Sequence, residues 1–175
     1  YDSRVTPPSP SPSSETPSQA KPDSVDEPWY APGLNFQCTQ CGDCCTGPPG
    51  YVWFTPEEGA AMAAFLGIDE NTFYFHYAVK KSGRWTLDEV KREGKYDCVF
   101  LKTDPETGKA GCSIYKVRPT QCRTWPFWDS NLSSPRAWAR AAKSCPGMKE
   151  PGSKSGAFVP IEQIRIQLAE NPEGL

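Results

Sequence analysis

Cys38-Thr39-Gln40-Cys41-Gly42-Asp43-Cys44-Cys45 places four thiols within eight residues, and the use made of those sulfurs decides what kind of fold the chain can have. Repeated two-residue gaps let a loop curl until several sulfurs converge, which is what a metal requires. Zinc takes four tetrahedral ligands with thiolates at about 2.3 Å, and a Cys-x2-Cys pair joined by a distant pair supplies them. An iron–sulfur cluster takes four thiolates, and Cys-x2-Cys-x2-Cys opens the bacterial ferredoxin run, whose next ligand is a Cys followed by Pro. Cys145-Pro146 has that form at a far longer spacing. Cys44 and Cys45 are adjacent, so their side chains point in different directions and one of them is available to a second centre.

The other thiols, Cys98, Cys112, Cys122 and Cys145, are spread over the following hundred residues, and no cysteine precedes Cys38. All eight are candidate metal ligands, enough for two four-ligand centres, and spacing does not divide them. An even count also permits disulfides in an oxidising compartment. Vicinal cysteines and short gaps leave little room for unstrained bridged loops, so a secreted, disulfide-stapled binding domain is the weaker expectation. The stronger one is thiolate-bound zinc or an iron–sulfur cluster in a reducing compartment, cytoplasmic or organellar, plastids included. Four thiolates around one zinc leave a local charge of about −2, which nearby cations must offset. Arg118 and Arg123 flank Cys122 and are suited to that, or are ordinary helix-end cations.

Around these cysteines the chain alternates short strands and short helices without a repeat, which predicts an α+β domain organised by metal. Tyr51-Val52-Trp53-Phe54 reads as a strand. Thr55-Pro56-Glu57-Glu58 reads as a helix start with a capping box, an apolar face of Met62, Phe65 and Leu66, and Gly67 as its stop. A second helix after Asp69 buries Phe73 and Tyr77, and Arg84 to Leu87 alternates as an exposed strand would. Tyr96–Leu101 and Gly111–Tyr115 are expected to form a hairpin about the polar turn Thr103–Lys109, drawing Cys98 towards Cys112. Pro119 and Pro135 suit the first turns of short helices, and Pro126 and Pro146 stop them soon after Cys122 and Cys145. Pro160 opens a last helix whose Ile161, Ile164 and Leu168 share a face.

Residues 1–33, rich in Pro and Ser, have no apolar periodicity and are expected to be a disordered tail, with residues 34–170 forming the cysteine-cluster domain. The tail is more acidic than basic, unlike an Arg-rich transit peptide, and the start at Tyr1 rather than Met reads as a trimmed end. With 37% hydrophobic residues and 19 prolines the apolar core must be modest. A net charge of −2 supplies no cationic field for nucleic acid. No apolar run approaches the roughly 20 residues that span a bilayer, so no membrane span is expected. His76 is the only histidine, which rules out a His-rich metal site; between Phe75 and Tyr77 it reads as a helix-packing residue. Trp125, Phe127 and Trp128 around Pro126 read as core that shields a metal from water. The prolines of Gly47-Pro48-Pro49-Gly50 remove the amides a phosphate loop would need.

Several blocks then agree in order: Phe36 to Cys45, Asp97-Cys98-Val99-Phe100-Leu101, Cys112 to Trp128 (Cys-Ser-Ile-Tyr-Lys-Val-Arg-Pro-Thr-Gln-Cys-Arg-Thr-Trp-Pro-Phe-Trp), and Cys145-Pro146-Gly147. Over residues 34–150 the chain resembles the YkgJ-type cysteine-cluster family, described as a zinc- or iron-chelating domain. The resemblance implies metal chelation and carries the ligand role onto the eight cysteines, without choosing the metal. A branch similar to this family, the flagellin lysine N-methylases, adds the alternative of an iron–sulfur enzyme or electron carrier acting on a protein partner. No catalytic residue is expected from the sequence.

Overall fold

The computed structural model describes residues 27–171, so the tail expected over residues 1–33 lies mostly outside the described residues. In chain order the elements are β1 (Leu34–Asn35), β2 (Thr46–Gly47), β3 (Trp53–Phe54), α1 (Pro56–Leu66), α2 (Glu70–Tyr77), β4 (Ala78–Lys81), β5 (Arg84–Leu87), β6 (Glu89–Arg92), β7 (Lys95–Cys98), β8 (Leu101–Thr103), β9 (Ala110–Cys112), α3 (Thr120–Thr124), α4 (Asp129–Leu132), α5 (Pro135–Ala142), β10 (Phe158–Val159) and α6 (Ile161–Glu170). Two 3-10 turns, Asp43–Cys45 and Tyr115–Val117, complete the α+β fold. The strands make four small antiparallel sheets in the orders β1-β10, β2-β7-β6, β3-β5-β4 and β8-β9.

Local chemistry explains the helix starts. Thr55 Oγ1 accepts the Glu58 N–H at 3.2 Å while Glu58 Oε2 accepts the Thr55 N–H at 2.9 Å, the reciprocal capping box. Gly67 ends α1 in the left-handed conformation at φ 70°, where a side chain would be strained. Gly59, Met62 and Ala63 bury the core face of α1, and a Cβ on Gly59 would lie 2.6 Å from the Tyr74 hydroxyl, so glycine lets α2 approach closely. Phe65, expected on that face, is 45% exposed. The buried stripe follows Gly59, Met62, Ala63 and Leu66, one helical face, and Phe65 falls off it. Asp69 caps α2 through the Thr72 N–H, and Phe73 is fully buried with its ring 5.9 Å from that of Tyr77.

Two strand expectations change. The Arg84–Leu87 segment is the centre of its sheet, with Thr86 and Leu87 buried, because β4, which the sequence reading left without a strand, pairs along its whole length. The expected hairpin is divided. Its turn-proximal half forms, with Leu101 opposite Cys112, but Lys95–Cys98 instead joins β2 and β6.

The buried apolar side chains form two clusters. One contains Leu34, Phe127, Leu132, Trp138, Cys145, Met148 and Ile164 and gathers β1, α4, α5 and α6. The other contains Phe54, Met62, Ala63, Phe73, Leu87, Phe100 and Ile114. Trp29 joins the first cluster, donating from Nε1 to the Leu132 carbonyl at 2.6 Å. No helix among the described residues is long and apolar enough to cross a membrane.

Candidate metal centre

A cavity of about 100 Å³ opens where the two clusters meet. Phe36 and Trp125 border it from the first cluster, and Val52, Leu87, Phe100 and Ile114 from the second. Six cysteines line it, Cys38, Cys44, Cys45, Cys98, Cys112 and Cys122. They arrive on five separate segments: the loop after β1, the 3-10 turn Asp43–Cys45, the end of β7, the end of β9, and α3. Packing of distant elements therefore does what a single cysteine-rich loop could not.

Each segment is held by identifiable contacts. Gly42, at φ 81°, turns the Cys38 loop back; a Cβ there would meet Ala110 Cβ at 2.8 Å and Leu101 Cδ1 at 2.9 Å, so the loop lies directly on the β8-β9 hairpin. Cys122 sits on a helix whose first two residues are both fixed to other elements. Glu58 Oε1 accepts the Thr120 N–H and the Thr120 hydroxyl, both at 2.6 Å, so the carboxylate that caps α1 also docks α3. Gln121, buried beside Cys122, accepts the Trp53 N–H at 2.7 Å and donates to the Tyr51 carbonyl at 2.8 Å, completing the edge of β3.

The thiols influence one another's ionisation. Cys44 and Cys45 have sulfurs 3.9 Å apart, and the hydrogen bond from Cys45 holds Cys44 down at about 7 against the opposing effect of burial. The same hydrogen bond pushes Cys45 strongly upward, helped by burial and by the charges of Cys44, Cys98 and Cys122. Burial raises Cys98 to about 11 and drives Cys122 higher still, with neighbouring thiols adding to both shifts. Cys112 is raised by burial, opposed by the Ile114 amide and by Arg118. Arg118 is the cation that favours the thiolates of Cys44, Cys112 and Cys122. Its guanidinium lies 3.8 Å over the Tyr115 ring and donates to the Tyr115 carbonyl at 2.7 Å, which keeps it at the cavity wall. Arg123 also lines the cavity, but its guanidinium is engaged with Thr120 at 2.6 Å and with Glu58 at 3.8 Å.

The eight predicted ligands are thus not equivalent. Cys41 faces a separate shallow recess with Thr39, Gln40, Gly108, Lys109 and Ala110. Cys145 is only 8% exposed and belongs to the first apolar cluster. All eight are free thiols. Among the described residues no three Cys, His, Asp or Glu side chains already stand around one point closely enough to hold an ion. The lining sulfurs border a common space, and a change of χ1 relocates each of them. His76 is exposed, edge-on to Phe75 at 4.9 Å rather than packed inside, and does not line the cavity.

The donor set fits zinc or an iron–sulfur cluster, both of which take thiolate. A second observation agrees. Trp125 lines the cavity, and its Nε1 is buried without an acceptor. An unpaired buried N–H costs about 1–3 kcal/mol, and a metal-bound thiolate or sulfide is an acceptor of the kind it lacks. Sequence reasoning singled out Arg118 but missed Glu58, Gln121 and Tyr115 as supports of the site. Glu58 carried a signal only for its local cap, and no local pattern marks the other two.

Comparison with known proteins agrees with the donor set. Residues 37–146 match the family model CxxCxxCC, described as "Putative zinc- or iron-chelating domain". An uncharacterized protein of Methanocaldococcus jannaschii is 35% identical over 98 residues, covering 56% of this chain and 48% of that protein. The chain therefore spans about half the length of this curated relative. No solved structure matches.

Proposed function

The chain belongs to the CxxCxxCC family of zinc- or iron-chelating domains, and from that premise we propose that it holds zinc or an iron–sulfur cluster in the cavity between its two apolar clusters. The observation that carries this reading is the convergence of Cys44, Cys45, Cys98, Cys112 and Cys122 from four separate segments on a cavity whose wall also presents Arg118. Apolar side chains alone would line such a space more cheaply, because burying thiols that must ionise has a cost that metal binding offsets.

The chain's own residues have definable parts in binding. The lining thiols give up their protons as they bind, Arg118 offsets the negative charge that accumulates, and Trp125 and Phe36 limit the access of water. A bound zinc would cross-link the segments, and an iron–sulfur cluster would do so while adding redox capacity. The test is metal analysis with absorption spectroscopy on protein purified without oxygen. Stoichiometric zinc without colour, or iron and sulfide with absorbance near 400 nm, is the expected result. Protein that takes up neither metal, with all thiols reduced, refutes the reading.

A further inference from the structure

We propose that the Cys145-Pro146-Gly147 segment is not part of the coordination sphere but is the mount for the loop that carries Cys38, with Cys145 as its anchor in the apolar core. The proposal rests on metal binding at the cavity and adds an assignment of roles among the cysteines.

Three observations support it. Cys145 lies with Leu34, Phe127, Leu132, Trp138, Met148 and Ile164, and is absent from the cavity wall that six other cysteines share. The backbone after it turns and then joins a distant segment: the Cys145 carbonyl accepts the Met148 N–H at 3.0 Å, Met148 bridges to Phe36, and Lys149 N–H donates to the Asn35 carbonyl at 3.1 Å. Trp138 Nε1 secures the same stretch by donating to the Lys149 carbonyl at 2.9 Å.

Gly147 then sets the position of the Cys38 loop. Gln37 N–H donates to the Gly147 carbonyl at 3.1 Å, and a Cβ on Gly147 would lie 2.3 Å from the Gln37 carbonyl oxygen. Only backbone can fit at that approach, and a displacement there is passed to the next residue, Cys38. At its far end the loop rests on the β8-β9 hairpin through Gly42. Cys38 is therefore gripped between the anchored segment and the hairpin. A buried thiol in an apolar cluster behaves as a small hydrophobe, which is the role assigned to Cys145.

The experiment uses the full chain and cobalt(II) as the probe, because its thiolate charge-transfer absorption reports how many sulfurs bind. Wild type, C145A, C145V, G147A, C98A and L132A are titrated, and each is melted. L132A loosens the same apolar cluster without touching a thiol, and C145V covers the case in which alanine leaves the fold too weak. The expected result is that C145A or C145V binds the wild-type number of ions with wild-type absorption despite a lower melting temperature. G147A is expected to bind about tenfold more weakly with altered absorption, as outer supports of metal sites do. C98A, which removes a lining thiol, should lose part of the thiolate absorption. If the Cys145 variants lose thiolate absorption while L132A at equal melting temperature keeps it, or if G147A titrates as wild type, the assignment is overturned and metal binding stands. If wild type binds no cobalt and takes up neither zinc nor an iron–sulfur cluster, both readings fall.

Discussion

Arg118 stands beside thiols that burial would otherwise keep protonated, and its value lies in being held there by Tyr115 rather than in being merely close. Replacing it by glutamine removes the charge and should weaken metal binding about 10- to 100-fold, whereas lysine should restore only part of the loss because it keeps charge without the planar stack. Competition against a chromophoric chelator measures this. The thiols also fix a direction in pH. Cys98 rises from the ordinary 9.0 to about 11 on burial, so the folded apo protein favours the neutral form more than the unfolded chain does. That preference stabilises the fold fully below about pH 9 and is lost as pH climbs towards 11. Melting the apo protein across this range should show the decline; a flat profile would contradict it. Metal binding runs the opposite way, because each ligand must lose its proton, so affinity rises with pH through the neutral range.

At the level of elements, α3 is too short to hold its place by its own hydrogen bonds, and Glu58 and Gln121 place it instead. Gln121→Ala leaves the Trp53 N–H and the Tyr51 carbonyl without partners and should cost about 1–3 kcal/mol by urea denaturation. Glu58→Ala should cost at least as much, since it removes a capping box together with the docking of Thr120, and should also weaken metal binding through Cys122. What could be read in advance follows the range of each interaction. The capping box and Gly67 stop of α1, the start of α2 after Asp69, the helix opened by Pro160 and the turn between β8 and β9 all depend on neighbours within a few residues. The pairing of Gln121 with β3 spans 68 residues and leaves no local trace. Ser82-Gly83 and Glu93-Gly94, with positive φ at both positions, do announce two-residue hairpins, and they account for β4 and β6. The period of Arg84–Leu87 alone could not reveal that strands would flank it on both sides.

For the whole molecule, the cavity lies at the contact between two apolar clusters of seven buried residues each, neither of them large. A modest core was legible in the composition, and so was the thiolate character of the site. Which sulfurs would share a space was not, because that depends on how four small sheets stack. Metal should join the two clusters, so its complete removal by a chelator is expected to lower the melting temperature of the region from Cys38 to Cys145 sharply while leaving a folded apo state at low temperature. A melting temperature that stays unchanged after verified removal would refute this. Trp125 adds a practical consequence. Its indole borders the cavity, and Trp128 packs 4.8 Å from it, so the emission lost in a W125F variant gives a built-in probe of what occupies that space. A coloured cluster would quench that fluorescence and colourless zinc would leave it bright, which would allow the cargo to be identified from the light the protein itself emits.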